Sequence, residues 1–282
     1  MNIKTQKDNI IVLSTEELVN LHKQLSFHPD ILALNPEPIR PAGVKSIDLL
    51  DSAINRQLTG SGEYYKYDNR FLNCATLVYG ITCNHAFHNG NKRAAFLSLM
   101  LHLYKNGYVI DPDTRHHEIY EFLRSIAAHT LDSFSEDRDF KGFFKEKKIK
   151  GRKLTVEEEV LFIEYWIKKN SVAKNNISKP VRWTVLKKQL ENFNIEVYED
   201  HSSRKFKLIR RTSKFVIFNR KIEKDYPHDG IYCYPKILRQ IRMDFNLLKS
   251  DGFDDNSLFS EDIFVDDTII TYKRVIYKLS LT

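Results

Sequence analysis

Two apolar segments with helical spacing lie close together in the first half of the chain, FLNCATLVYGITCN (71–84) and the amphipathic AAFLSLMLHLYKNG (94–107). A short polar stretch separates them, so the pattern predicts helix, turn, helix. Past residue 153 the helical pattern resumes with TVEEEVLFIEYWIKKN. Thr155 stands where a helix cap belongs, Glu157, Glu158 and Glu159 occupy the first turn, and Lys168 and Lys169 lie near the end. Pro180 and Trp183 introduce a further helix, WTVLKKQLENF, after which the spacing changes. The runs IEVYED, KFKLIRR and SKFVIFNR alternate β-branched and aromatic residues with polar ones and predict three strands. A turn at PHDG (227–230) leads to a helix, YPKILRQIRMDFNLL. The expected fold class is α+β overall, with an all-α helical domain over residues 1–148 and a smaller basic α+β domain over 153–282.

Charge supports that division. The chain has 282 residues, 42% hydrophobic and 12% aromatic, which is material for packed cores in two domains. Its net charge of +7 is unevenly spread. Residues 1–150 hold 19 Lys and Arg against 18 Asp and Glu, residues 151–250 hold 22 against 12, and residues 251–282 hold 3 against 7. The charged stretch KEKKIKGRK (145–153) follows the cluster Phe140, Phe143, Phe144 and reads as the linker. The acidic segment DGFDDNSLFSEDIFVDD (251–267) lacks the ligand spacing of a calcium loop and is read as screening the basic region or docking a partner. No run of about 18 apolar residues occurs, and MNIKTQKDNIIVL is too weakly apolar for a secretory leader, so the expectation is no membrane and a cytoplasmic location. Cys74, Cys83 and Cys233 are few, odd in number and without C-x-x-C spacing, in keeping with a reducing compartment.

The candidate chemistry lies in the polar stretch, His85-Ala86-Phe87-His88-Asn89-Gly90-Asn91-Lys92-Arg93. A helix opening near Asn91 points its first N–H groups and positive dipole end back over the turn, where an anion is favoured. Gly90 permits a tight turn, and Lys92 and Arg93 add a point charge and a planar fork of donors suited to a di- or triphosphate. His85, as a neutral imidazole, can take the proton of an attacking hydroxyl. Phe87 is expected to pack inward and fix the loop. A capped helix start with ordinary turn chemistry is the non-catalytic alternative. Cys83 is read as a packed thiol rather than a nucleophile.

The pattern H-x-F-x-x-G-N-K-R resembles the signature of the Fic/Doc family, HPFx(D/E)GN(G/K)RxxR. The flanking helices, GVKSIDLLDSAINRQ (43–57) and LSTEELVNLHKQL (13–25), resemble the death-on-curing (Doc) branch in order and spacing, over roughly the first 140 residues. The resemblance implies an all-α core, ATP or another nucleoside triphosphate with Mg²⁺ as cofactors, and a target hydroxyl deprotonated by His85. It also implies phosphate binding by Asn91 and the loop amides, and stabilisation of the transferring group by Arg93. Most Fic proteins transfer AMP, whereas Doc-like toxins transfer the terminal phosphate. Lys92 stands where Doc-like members carry Lys, which favours phosphoryl transfer, with AMP transfer as the alternative. Phe96 replaces the second Arg, and no S/T-x-x-x-E-G/N inhibitory motif occurs in the chain. Asn89 occupies the position of the metal-holding Asp or Glu, so metal binding there departs from the family pattern. A catalytically silent scaffold that binds RNA or a partner is a third reading. By the same analogy the setting would be a toxin–antitoxin or phage-defence module, with a translation factor as protein substrate and an antitoxin as partner.

The second half resembles, more loosely, the double-stranded-RNA-binding-like fold of HicA toxins, with LKKQLENFNIEVYEDHSSRKFKLIRR echoing helix and first hairpin. There His201 stands near the place of that family's catalytic histidine, without the usual Gly-Ser-His order. Arg204, Lys205, Lys207, Arg210 and Arg211 on the hairpin are the RNA-binding candidates, since clustered cations release counterions from a phosphate backbone.

Overall fold

The computed structural model describes residues 2–4, 8–28, 31, 39, 41–62, 64–174, 181–200, 202–213, 219–227, 231–247 and 261–282. It divides into two compact units, Met1–Lys174 with Thr268–Thr282, and Asn175–Asp267. Helices and antiparallel sheets make it α+β overall, with a mainly helical first unit. Among the described residues no helix is long and apolar enough to cross a membrane.

In the first unit, strands β1 (Asn2–Lys4) and β2 (Asn9–Ile11) form a small antiparallel pair before helix α1 (Thr15–Phe27). Helix α2 (Ile47–Asn55) and a hairpin of β3 (Gly60–Ser61) and β4 (Tyr64–Tyr65) precede the central pair, α3 (Arg70–Asn84) and α4 (Asn91–Lys105). Ser14 and Glu17 close a capping box on α1, and Asn69 caps α3 by accepting from Phe71 and Leu72 N–H. Every residue of α3 from Asn73 to Thr82 and of α4 from Arg93 to Leu103 is buried. Helices covered on all sides form the middle of a core. α2 approaches α3 at Gly80, where a Cβ would stand 3.0 Å from the Ala53 Cα.

Several buried polar side chains of this unit are paired with distant backbone or with one another. Asn106 meets β2 as a strand would: its amide donates to the Ile11 carbonyl at 2.9 Å and its oxygen accepts the Ile11 N–H at 2.9 Å. Gln57 does the same for Leu13, at 3.1 and 3.2 Å. His102 donates from Nε2 to Asn73 Oδ1 at 3.1 Å, and its Nδ1 faces the Asn106 amide nitrogen at 3.4 Å.

The helix predicted from Thr155 is present as α7 (Val156–Lys169), with Thr155 and Glu158 in a capping box. It follows α5 (His116–Ala128) and α6 (Lys141–Glu146). The division between the units falls later than the linker expected at 145–153, because α7 buries its apolar face in the first unit. Trp166 stacks on Phe122 at 3.8 Å between ring centroids, and Phe162 meets Phe134, Phe140, Phe143 and Phe144. Strand β6 (Ser171–Ala173) then pairs with β5 (Tyr108–Ile110).

The second unit has the order helix, three strands, helix, but its third strand is Asn219–Pro227 and not the run SKFVIFNR (213–220), of which only Ser213, Asn219 and Arg220 are described, at the ends of two strands. β7 (Val181–Arg182) leads into α8 (Trp183–Asn192), then β8 (Ile195–Asp200), β9 (Lys205–Ser213) and β10 (Asn219–Pro227) form an antiparallel sheet in the order β10-β9-β8. β11 (Tyr232–Cys233) pairs with β7 and precedes α9 (Pro235–Asp244). Trp183, Leu186, Leu190, Ile195, Phe206, Leu208, Tyr226, Ile241 and Phe245 form its core. Part of the run SKFVIFNR, the turn PHDG after Pro227 and most of the acidic segment lie outside the described residues. Of that segment's end, Asp266 and Asp267 are described and pair with Lys188 and Arg182 at 3.5 and 3.4 Å. They belong to α10 (Glu261–Thr271), which precedes α11 (Lys273–Ser280). α11 buries Val275, Ile276 and Leu279 in the first unit, and Tyr272 meets Phe96 and His116 edge-on and tilted.

Candidate active site

The loop between α3 and α4 is built from its two ends. His85 terminates α3 in the left-handed conformation, φ 51°, and is exposed. The chain then turns inward, and Ala86 and Phe87 are buried. The Ala86 carbonyl accepts the N–H groups of Lys45 and Ser46 at 2.8 and 3.1 Å, Val44 bridges Phe87, and His88 N–H donates to the Gly43 carbonyl. Residues 43–46 and the start of α2 therefore hold the first half of the loop.

Phe87 packs inward, as expected, against the His22 ring, 4.2 Å between centroids and parallel within 1°. His22 Nε2 lies 2.8 Å from the Asn89 carbonyl. Burial, with Arg93 as a like charge nearby, holds the His22 pKa below its ordinary value, so the ring is neutral and donates to that carbonyl. The sequence reading missed His22. The available signal was a polar residue on the apolar face that Leu18, Leu21 and Leu25 give α1.

Asn91 clamps the loop. Its side-chain oxygen accepts the Phe87 N–H at 2.9 Å and its amide donates to the Phe87 carbonyl at 3.0 Å. That leaves its backbone N–H, at the first helical position, as the group available to an anion. Gly90 caps α4 at φ 78° with no side-chain cap of its own. A Cβ there would lie 3.2 Å from Ile39 Cδ1, so both conformation and space favour glycine. Gly90→Ala is expected to cost about 1–2 kcal/mol, read as a lower urea midpoint with unchanged helix content. An unaltered midpoint would show that the turn tolerates a side chain.

The two cations differ in setting. Arg93 is 1% exposed, and its Nη2 lies 3.4 Å from Asn89 Oδ1. The same Oδ1 accepts the Gly90 N–H at 2.6 Å. Lys92 is half-buried and donates to the Thr282 carbonyl; burial and the charge of Arg93 lower its pKa. Cys83 is not a thiolate, since burial pushes its pKa up to about 11. The loop thus gathers His85, Asn89, Gly90, Asn91, Lys92 and Arg93 at one helix start, with an accessible imidazole on one side and cations on the other.

The hairpin of the second unit does not gather its cations. Arg210 turns inward and donates to the Phe245 carbonyl at 2.7 Å. On the opposite face, Lys207 pairs with Glu223 at 3.1 Å, Arg211 approaches Glu196 at 3.8 Å, and Lys221 also binds Glu223. Lys205 lies in register with Asp200, and Lys207 with Asp225. Among the described residues of this face, acids and bases alternate across the strands. Arg204 is exposed in the turn, and His201 lies outside the described residues.

No curated protein and no solved structure matches the chain. A family model does match the segment that builds the loop. Residues 12–103, from the end of β2 through nearly all of α4, match the Fic/DOC family, whose members are typically transferases that place a nucleotide-derived group on a protein.

Proposed function

We propose that the chain transfers the terminal phosphoryl group of a nucleoside triphosphate to a hydroxyl of a protein, in the manner of Doc-like toxins. The observation that carries this reading is the loop itself: an exposed imidazole at the end of one helix, held by the Phe87–Asn91 clamp beside two cations at the start of the next. In the transfer, His85 takes the proton of a Ser, Thr or Tyr hydroxyl as its oxygen bonds to the γ-phosphorus. The bond from that phosphorus to the bridging oxygen breaks, and a nucleoside diphosphate leaves. Arg93 and Lys92 offset charge on the phosphates, and the fixed loop amides orient them; positioning and charge supply most of the catalysis in such chemistry. Lys92 favours this reading over AMP transfer, because it is the residue that Doc-like members carry there. A translation component as target, with an antitoxin as partner, follows from the same likeness.

Mass spectrometry of a cell extract incubated with the chain and ATP labelled separately at the α and γ positions distinguishes the two transfers. The γ label, with a gain of one phosphate on a protein hydroxyl, is the expected result. Incorporation of the α label would replace phosphoryl transfer by AMP transfer.

A further inference from the structure

Fic/DOC proteins generally bind a nucleoside triphosphate together with Mg²⁺. The loop of this chain does not fit a protein-held cation. Asn89 stands at the position that is acidic in the family pattern. Its Oδ1, the atom a cation would need, accepts the Gly90 N–H at 2.6 Å and faces Arg93 Nη2 at 3.4 Å. Both neighbours present positive hydrogens to it. A divalent ion drawn to this oxygen would meet an amide and a guanidinium at a place where Arg93 is 1% exposed and water screens little. No carboxylate offsets that repulsion within the loop, because residues 85–93 contain neither Asp nor Glu. Among the described residues no group of three or more His, Cys, Asp and Glu side chains could hold a metal ion. Mg²⁺ sheds water reluctantly and is usually fixed by one or two carboxylates besides the substrate phosphates.

We propose that this loop binds the phosphates of its donor through Lys92 and the first N–H groups of α4, with the buried charge of Arg93 behind them and no metal ion ligated by the protein. The inference rests on the nucleotide-transfer reading of the loop. Its ligand is then a phosphoanhydride anion carrying its full charge. Complexation by Mg²⁺ removes two of those charges and weakens the attraction instead of completing the site. Binding should also fall with added salt, since charges at the loop mouth are screened.

The test is calorimetric titration of the full chain with ATP, once in chelator and once in excess Mg²⁺. ATP is expected to bind equally well or up to about tenfold more tightly without the metal. Asn89→Asp, which adds a negative charge beside the phosphates, should weaken binding in chelator and make it respond to Mg²⁺. If that variant fails to fold, the comparison on the native chain decides alone. Binding by the native chain that tightens about tenfold or more with Mg²⁺ would overturn the inference and leave the nucleotide reading standing. Mn²⁺ bound by the native chain without nucleotide and lost in Asn89→Ala would overturn it as well. Absence of ATP binding in both buffers would overturn the nucleotide reading, and the inference with it.

Discussion

Replacing His85 with alanine is expected to reduce target modification by a factor of about 10²–10⁴, the usual contribution of a positioned general base. The side chain is exposed at the end of α3, and the Phe87–Asn91 clamp and the Ala86 contacts with residues 45 and 46 do not use it. The loop should therefore keep its shape. The left-handed backbone of His85 complicates alanine alone, since a residue with a Cβ pays for that conformation and asparagine tolerates it better. His85→Asn supplies the control: the conformation is retained and no base is present. Both variants should show that loss, and His85→Asn should keep near-native thermal stability. A folded variant of either kind that modified its target, or was toxic, at the native rate would remove His85 from the mechanism.

The second large effect concerns acidity. His102 is wholly buried, and burial together with the charge of Lys105 lowers its pKa to about 3. The neutral ring donates to Asn73, and its other nitrogen faces the Asn106 amide, so a second ring proton would point at a donor. In the unfolded chain the ring protonates near its ordinary pKa of 6.5. Between these values the unfolded state binds more protons. Stability is therefore full above about pH 6.5 and lost progressively as pH falls toward 3, with about 2–3 kcal/mol gone by about pH 4.5. His22, whose pKa is also lowered by burial, acts in the same direction. Urea unfolding can be followed by Trp166 fluorescence in a Trp183→Phe background, which leaves the first unit's tryptophan as reporter. His102→Gln in that background retains an amide donor for Asn73 and should flatten the profile. An equal acid loss with and without His102 would assign it to other groups.

The chemistry of residues 85–93 was legible in the sequence because turns and helix starts are decided locally. Gly90 at positive φ and α4 opening at Asn91 follow from neighbouring residues. The Thr155 cap was legible for the same reason. What escaped depends on partners distant in the chain. The apolar face of α7 announces that the helix is buried, but only Phe122 and the phenylalanine cluster reveal against what. The five cations of the hairpin look like a patch when read along one strand. Strand register sets Glu223, Asp225, Glu196 and Asp200 among them, and alternation sends Arg210 to the other face. The clamp between Asn91 and Phe87 is local, yet sequence could not tell whether the asparagine side chain faced a ligand or its own backbone.

Because α11 belongs to the unit that begins with β1, the helical unit is interrupted by the whole of the second one. On the ribosome, α3 and α4 emerge long before the segment that lays Tyr272 on Phe96 and brings the Thr282 carbonyl to Lys92. Between Phe96 and Tyr272 lie 175 residues, which at ordinary synthesis rates amounts to roughly 10–30 s. During that interval the nascent chain has its imidazole and clamp but lacks the outer cover of α4 and α5. The outer cover of α4 and α5 is thereby tied to synthesis of α11, long after the loop itself has been made.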